Sequence, residues 1–417
     1  MQTAASSTGT HTAHGSRTHE VPEDLGFSKL RLQLLDTRFS TDVATGLIPG
    51  AVVLVARHGR IAYYNAFGYR DRGRQLPMQT NSLFWVASMT KPVTSVAALA
   101  LVEEAKLHLR DPVARFLPEF ADLQVGVEQV DADGDRHLVR VAPHRDMTMH
   151  DLFRHTSGLT YGAFGTSLVN QAYQHLQPYD FGQTNAEMVG KLARLPLAYH
   201  PGTTFEYGMS TDVLGRVIEV VSGQPLDRFI EERIAVPLRM RDTGFVIPSP
   251  SQERVALPQG EQVSDMAPPV RTAPGWLSGG GGLWSTAYDY WRFAQMLLNR
   301  GELDGVRMLS ARTVAWMTSN HLPPDVAYGP YVEALDASAP IPSMGQGFGL
   351  GVTVRIEEGR NPLPGSVGDF YWPGVSGTSF WVDPKEQLVA VLMLRAPDER
   401  LRYRAVLREL VYQALEH

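Results

Sequence analysis

A chain of 417 residues, 43% of them apolar and 20% charged, is long enough for two or three domains around a large core and too apolar for broad disorder. Its formal net charge of −6 leaves no electrostatic footprint for nucleic acid and no polybasic patch for a membrane surface. Cysteine is absent, which excludes disulfides, a thiol nucleophile and thiolate metal sites but leaves either redox compartment open.

The first 22 residues are rich in Thr, Ser, Ala and His without an apolar run long enough for a signal-peptide core, and read as a disordered leader. His11, His14 and His19 belong to that solvated tail rather than to a metal tract. No stretch approaches the ~18 continuous apolar residues of a membrane span, so a cytoplasmic enzyme is expected. From Phe27 to about Thr45 the spacing of Leu30, Leu32, Leu35, Phe39 and Val43 predicts an amphipathic helix. Ala51–Arg57 and Arg60–Gly68, separated by His58-Gly59, predict a β-hairpin. An apolar extended run then ends at Ala87-Ser88, and a helical pattern follows to about Lys106.

The tract Asp131-Ala132-Asp133-Gly134-Asp135 resembles the start of a calcium loop, lacks the spaced terminal glutamate, and reads as an exposed turn. A short capped helix is expected over Thr148–Phe153 and a longer one over Ser210–Ser222, with another after Pro225 ending near Met240. Pro248–Pro274 reads as a long surface loop. The glycine run Ser278–Gly282 lacks the Gly-Lys-Ser/Thr of a phosphate cradle and predicts tight backbone packing beside a cleft, before a helix capped at Ser285-Thr286. Strands are predicted at Phe348–Ile356, Thr378–Val382 and Leu388–Leu394, and a terminal helix from about Asp398 to Glu416. Strands at both ends and helices between them predict an α+β fold: residues 23–82 and 345–417 form one domain with an antiparallel sheet, 83–344 a largely helical insertion, and a cleft lies at the junction.

Ser88 falls at a helix start, where free N–H groups and the dipole favour developing negative charge, and Lys91 lies one turn deeper on the same face. Lysine occurs only at 29, 91, 106, 191 and 385, and only Lys91 has a serine three residues before it. The same spacing also fits an N-capping serine beside a surface lysine. No Gly-x-Ser-x-Gly elbow exists, and the scattered histidines define no triad.

Three motifs in order, Ser88-Met89-Thr90-Lys91, Phe205-Glu206-Tyr207-Gly208-Met209, and Trp372-Pro373-Gly374-Val375-Ser376-Gly377-Thr378, resemble the signatures of the serine β-lactamase-like superfamily. His155–Leu159 and Ser278–Gly282 resemble stretches common there, and the likeness runs from about Phe27 onward. Within it the chain is most similar to family VIII carboxylesterases, relatives of class C β-lactamases. That resemblance implies a β-lactamase/penicillin-binding-protein-like fold, Ser88 as acylated nucleophile, Lys91 as its proton partner, Tyr207 as general base, and backbone N–H groups of Ser88 and Val375 as the oxyanion hole, the latter on the strand containing Thr378. Trp372, Gly374 and Met209 would contact substrate. Met209 and Trp372 stand where class C enzymes carry an asparagine and a lysine, so the resemblance implies a neutral ester rather than an anionic lactam. Tyr207 and Lys91 remain alternative bases, because a charged Lys91 stabilises a phenolate while a neutral one accepts the proton itself. His155 reads as structural. No cofactor or metal is implied. The expected partner is a small-molecule ester, with transfer of the acyl group to an alcohol and β-lactam or penicillin binding as alternatives.

Overall fold

The computed structural model describes residues 21–258, 270 and 275–416, so nearly all of the expected leader and part of the Pro-rich segment lie outside the described residues. Its centre is one antiparallel sheet of eight strands drawn from both ends of the chain: β1 (Gly50–Arg57), β2 (Arg60–Asp71), β3 (Leu76–Pro77), β4 (Gln346–Phe348), β5 (Thr353–Arg355), β6 (Phe370–Tyr371), β7 (Ser379–Asp383) and β8 (Leu388–Leu394). The spatial order is β4-β5-β6-β7-β8-β1-β2-β3, and Val53 of β1 faces both Leu392 of β8 and Asn65 of β2. An antiparallel sheet built from both ends of the chain, with the intervening residues largely helical, is the α+β order expected from the sequence.

β1 is buried along its whole length because both faces of the sheet are covered. Ala51, Val53 and Val55 join Leu32, Leu35 and Phe39 of α1 (Lys29–Ala44) and Tyr403, Leu407 and Val411 of the terminal helix, Arg400–Tyr412. Val52 and Leu54 turn the other way, into the larger core that holds the remaining helices. Ser28 caps α1 by accepting the Arg31 N–H. On the second face, α2 (Thr90–Glu103) packs against α3 (Ser210–Ser222), while α4 (Ala287–Leu298), capped by Thr286, lies across β1, β7 and β8. The terminal helix, α5, begins at Arg400 after a 3-10 turn at Pro397–Glu399 and ends four residues earlier than expected.

Two elements differ from expectation. The single strand predicted at 348–356 is the hairpin β4–β5, which reverses at Gly349-Leu350-Gly351. Gly351 has φ +93°, and a Cβ on Gly349 would lie 2.1 Å from the Met317 carbonyl oxygen, so the reversal depends on glycines that interrupt an apolar run. The helix after Pro225 is short, Leu226–Ile230, and passes into a π-turn at Glu231–Ala235. The acidic tract is an exposed turn as expected: Asp131 Oδ1 accepts the N–H groups of Asp133 and Asp135 at 3.0 and 2.9 Å, and strands Val125–Val130 and Arg136–Val141 flank it. Among the described residues no helix is long and apolar enough to cross a membrane.

Candidate active site

Phe84–Trp85 pairs antiparallel with Trp284–Ser285 and delivers the chain into a single 3-10 turn, Ala87–Met89, that runs directly into α2. Ala87 has φ +48°, a left-handed conformation that costs a residue with a Cβ about 1 kcal/mol or more. Neighbouring hydrogen bonds hold it there: Val86 N–H to Leu283 O (3.0 Å), Leu283 N–H to Thr90 Oγ1 (3.1 Å) and Tyr290 O–H to Met89 O (2.7 Å). Ser88 is consequently part-exposed while the residues on either side of it are buried.

Lys91 is fully buried one turn into the helix. Its Nζ lies 3.3 Å from Ser88 Oγ, 2.9 Å from Tyr161 Oη and 2.7 Å from the Gly280 carbonyl oxygen. Burial pulls its ammonium down to about 7, and the negative charge of Asp212 opposes that shift. Tyr207 donates to Ser88 Oγ at 2.6 Å, and Lys91 Nζ lies 4.6 Å from the centre of its ring. Its ring is stacked on Tyr331 (4.6 Å between centroids, 15°) and packs against His155 at 4.9 Å. Burial pushes the Tyr207 phenol up, countered by its hydrogen bonds to Ser88 and Trp372. Gly208 is required beside it, since a Cβ there would lie 2.4 Å from Leu159 O. His155 is wholly buried and held well below its usual range by burial and then by Lys91, which fits the structural role read from sequence.

The third motif is a turn between β6 and β7, so neither residue lies on a strand: Val375 is on the turn and Thr378 immediately precedes β7. Gly374 N–H donates to Thr378 O (2.8 Å) and Gly377 N–H to Gly374 O (3.2 Å), which puts Val375 and Ser376 at the tip. Two hydroxyls pin this tip to the segment that carries Ser88: Ser376 Oγ donates to Trp85 O (3.0 Å) and Thr378 Oγ1 to Val86 O (3.1 Å). Among the described residues the N–H groups of Ser88 and Val375 have no acceptor, leaving both free to donate. Gly374 works sterically, because a Cβ there would be 2.6 Å from Val86 O and 3.4 Å from the Ala87 Cβ.

The structure thus brings Ser88, Lys91 and Tyr207 into direct hydrogen-bond contact and corrects two expectations. Met209 is fully buried at the N-cap of α3 and presents no surface for a substrate. Trp372 is 1% exposed and serves Tyr207 instead, its indole N–H donating to the phenol oxygen at 3.2 Å. Rings that keep part of their exposure and connect to Tyr207 by ring contacts are Tyr161, Phe164, Tyr179, Phe181 and Tyr331. Tyr161 was not singled out by sequence; it stands two residues beyond the His155–Leu159 stretch, which was its available signal. Among the described residues no group of three or more His, Asp or Glu side chains could hold a metal ion.

A serine, a buried lysine and a tyrosine within hydrogen-bond reach, mounted beside an antiparallel sheet, define the serine β-lactamase-like class of active-site-serine proteins. The β-lactamase family profile matches residues 35–413, and the chain belongs to that family. It is 39% identical over 364 residues to an uncharacterised protein of Mycobacterium tuberculosis, covering 85% of this chain and 87% of that one. It is 32% identical over 406 residues to Esterase EstB of Burkholderia gladioli, covering 91% and 94%. Among solved structures it is similar to EstCE1, described as a hydrolase with promiscuous acyltransferase activity, with a TM-score of 0.74, 28% identity, and 92% and 99% of the two chains covered.

Proposed function

We propose that the chain is a serine carboxylesterase that hydrolyses short- to medium-chain acyl esters through an acyl-enzyme on Ser88. The observation that carries this reading is the position of Ser88 Oγ, bracketed by Lys91 Nζ at 3.3 Å and Tyr207 Oη at 2.6 Å. Lys91 gives its two shorter contacts to Gly280 O and Tyr161 Oη, so in the amine form both N–H bonds are occupied and the lone pair faces the serine. The lysine therefore takes the role of base that sequence left open between it and Tyr207. It titrates near neutrality, whereas the buried phenol is pushed above its ordinary range.

In the acylation step Ser88 Oγ bonds to the ester carbonyl carbon as its proton passes to Lys91 Nζ, and the carbonyl oxygen becomes an oxyanion facing the Ser88 and Val375 N–H groups. Collapse breaks the bond to the alcohol oxygen, which takes the Tyr207 proton and leaves a phenolate beside an ammonium. Forming a phenolate at neutral pH costs about 4 kcal/mol for an ordinary tyrosine and more for Tyr207, where burial raises the phenol and the Ser88 and Trp372 hydrogen bonds counter part of the rise. An opposite charge at ~4 Å in an effective dielectric near 20 offsets about 4 kcal/mol of this. For deacylation, water gives a proton to the phenolate and attacks the acyl carbon; the carbon–Oγ bond breaks, and Ser88 regains its proton from Lys91. Both side chains return to their starting forms.

The part-exposed aromatic side chains that run outward from Tyr207 by ring contacts favour an apolar acyl or alcohol group. EstCE1's described acyltransferase activity supports a second reading, in which an alcohol replaces water in deacylation. A panel of p-nitrophenyl esters of increasing acyl length, run beside a chromogenic cephalosporin and with or without added alcohol, tests both. Ester turnover well above cephalosporin turnover is expected. Cephalosporin turnover alone would refute the esterase reading, and product partitioning chiefly to the alkyl ester would replace it with the transferase.

A further inference from the structure

Asp212 is a buried acid to which the chemistry above assigns no task. It is the third residue of α3, 0% exposed and five positions after Tyr207. Its Oδ1 accepts Ser278 Oγ–H at 2.5 Å and the Gly280 N–H at 3.0 Å. Its Oδ2 has no hydrogen-bond partner among the described residues, and a Cβ on Gly280 would lie 2.5 Å from it. The carboxylate is therefore pressed against the backbone of one residue, Gly280, and the carbonyl of that residue accepts Lys91 Nζ at 2.7 Å. Thr94 Oγ1 of α2 donates to the adjacent Gly279 carbonyl at 2.7 Å, which fixes the same glycine run from the lysine's own helix.

We propose that Asp212 is a positioning residue for the reaction: it anchors the Gly280 carbonyl on which Lys91 rests and supplies the buried counter-charge that sets how firmly Lys91 holds a proton. The inference rests on the esterase reading for its chemistry but not for its geometry.

A buried carboxylate and a buried ammonium each pay a heavy desolvation cost unless they face one another. Around Lys91 the other titratable groups are Tyr161 from the loop after His155, Tyr207 from the turn before α3, and His155 itself; Tyr179 adds to the surroundings of Asp212. Burial holds the three tyrosines in the phenol form and His155 in the neutral form, so none of them supplies a resting charge. Burial raises the Asp212 carboxyl too, but the Lys91 charge and the hydrogen bonds from Ser278 and Gly280 oppose that, and its negative charge in turn opposes the effect of burial on Lys91. The glycines are part of the device: Gly279 and Gly280 admit Thr211 O and the carboxylate at distances a side chain would close off.

Asp212→Asn tests this, because the asparagine carbonyl oxygen can keep both hydrogen bonds at Oδ1 while the charge is lost. Two readouts are followed against pH: kcat/KM for an activated ester, and the rate at which a fluorophosphonate probe labels Ser88, which reads the nucleophile whatever the substrate. In the wild type both rise with pH through about 7, where Lys91 releases its proton. In the variant the acid limb moves down by about one pH unit or more in both, and the plateau rate falls by up to about tenfold per unit of that shift because a weaker base remains. Asp212→Ser, also neutral, is measured in parallel in case the asparagine variant does not fold, with the same displacement expected. Ser278→Ala removes one of the hydrogen bonds and keeps the charge, so its limb stays where the wild type's is. An unmoved limb in the neutral variants overturns the proposal, as does an equal displacement in Ser278→Ala. Failure of the esterase reading would appear in the wild type as labelling of Ser88 without ester turnover, and would leave the comparison of limbs intact.

Discussion

The Tyr207 oxygen has two hydrogen-bond partners, Ser88 and the indole N–H of Trp372, and the second matters most when the phenolate forms. A hydrogen bond to a charged group is worth about 1.5–3 kcal/mol. Trp372→Phe keeps most of the ring volume and removes the donor, so kcat falls about tenfold or more, with KM little changed because the buried indole touches no substrate. Steady-state kinetics check this, and a change confined to KM contradicts it. Ser88 and Lys91 were legible in the sequence because their spacing reflects one helical turn, and Tyr207 because its motif resembles a signature of the family. Tyr161 and Gly280 were not: one reaches Lys91 from a loop without periodicity, the other through a backbone carbonyl that any residue carries. Asp212 was hidden differently, since an acid in the first turn of a helix reads as compensation of the helix dipole.

At the level of elements, one buried ionic cluster joins the sheet to its covering helix. Asp369 Oδ2 accepts Arg355 Nε of β5 at 3.0 Å and a guanidinium N–H of Arg408 of α5 at 2.8 Å, with all three side chains almost fully buried. Asp369→Asn leaves two buried cations facing no charge and destabilises the fold by about 3–5 kcal/mol. Denaturant unfolding would detect this as a lowered midpoint at an unchanged slope; a loss below about 1 kcal/mol would mean that water reaches the cluster. The partners lie 14 and 39 residues apart, and an isolated Asp beside a strand gives no hint of them. β1 and α1, by contrast, were read nearly residue for residue, because an unbroken apolar run and a clean helical spacing each admit one interpretation. The hairpin β4–β5 was read as one strand because Leu350, between two glycines, continues the apolar run across the reversal. The strands at 125–141 alternate too weakly to stand out from the acidic turn they flank.

For the whole molecule, the order of the chain explains the site. Strands from both termini pair in register, β1 with β8, and the turn between β6 and β7 is thereby carried to the segment that leads into α2. Ser88 at the head of α2, Tyr207 just before α3 and Val375 on the sheet turn meet although they are 119 and 168 positions apart along the chain. Three elements hold the geometry, and the strained Ala87 lies between the head of α2 and the sheet turn, where Gly374 leaves room for it. The central claim is that this arrangement makes Ser88 the residue that carries the acyl group. Rapid-quench intact-mass measurement during turnover of an activated ester tests it most directly. The account predicts a transient increase equal to one acyl group, mapping to the peptide that contains Ser88 and absent from Ser88→Ala together with activity. Undiminished hydrolysis by Ser88→Ala, or an adduct on any other residue, would contradict it.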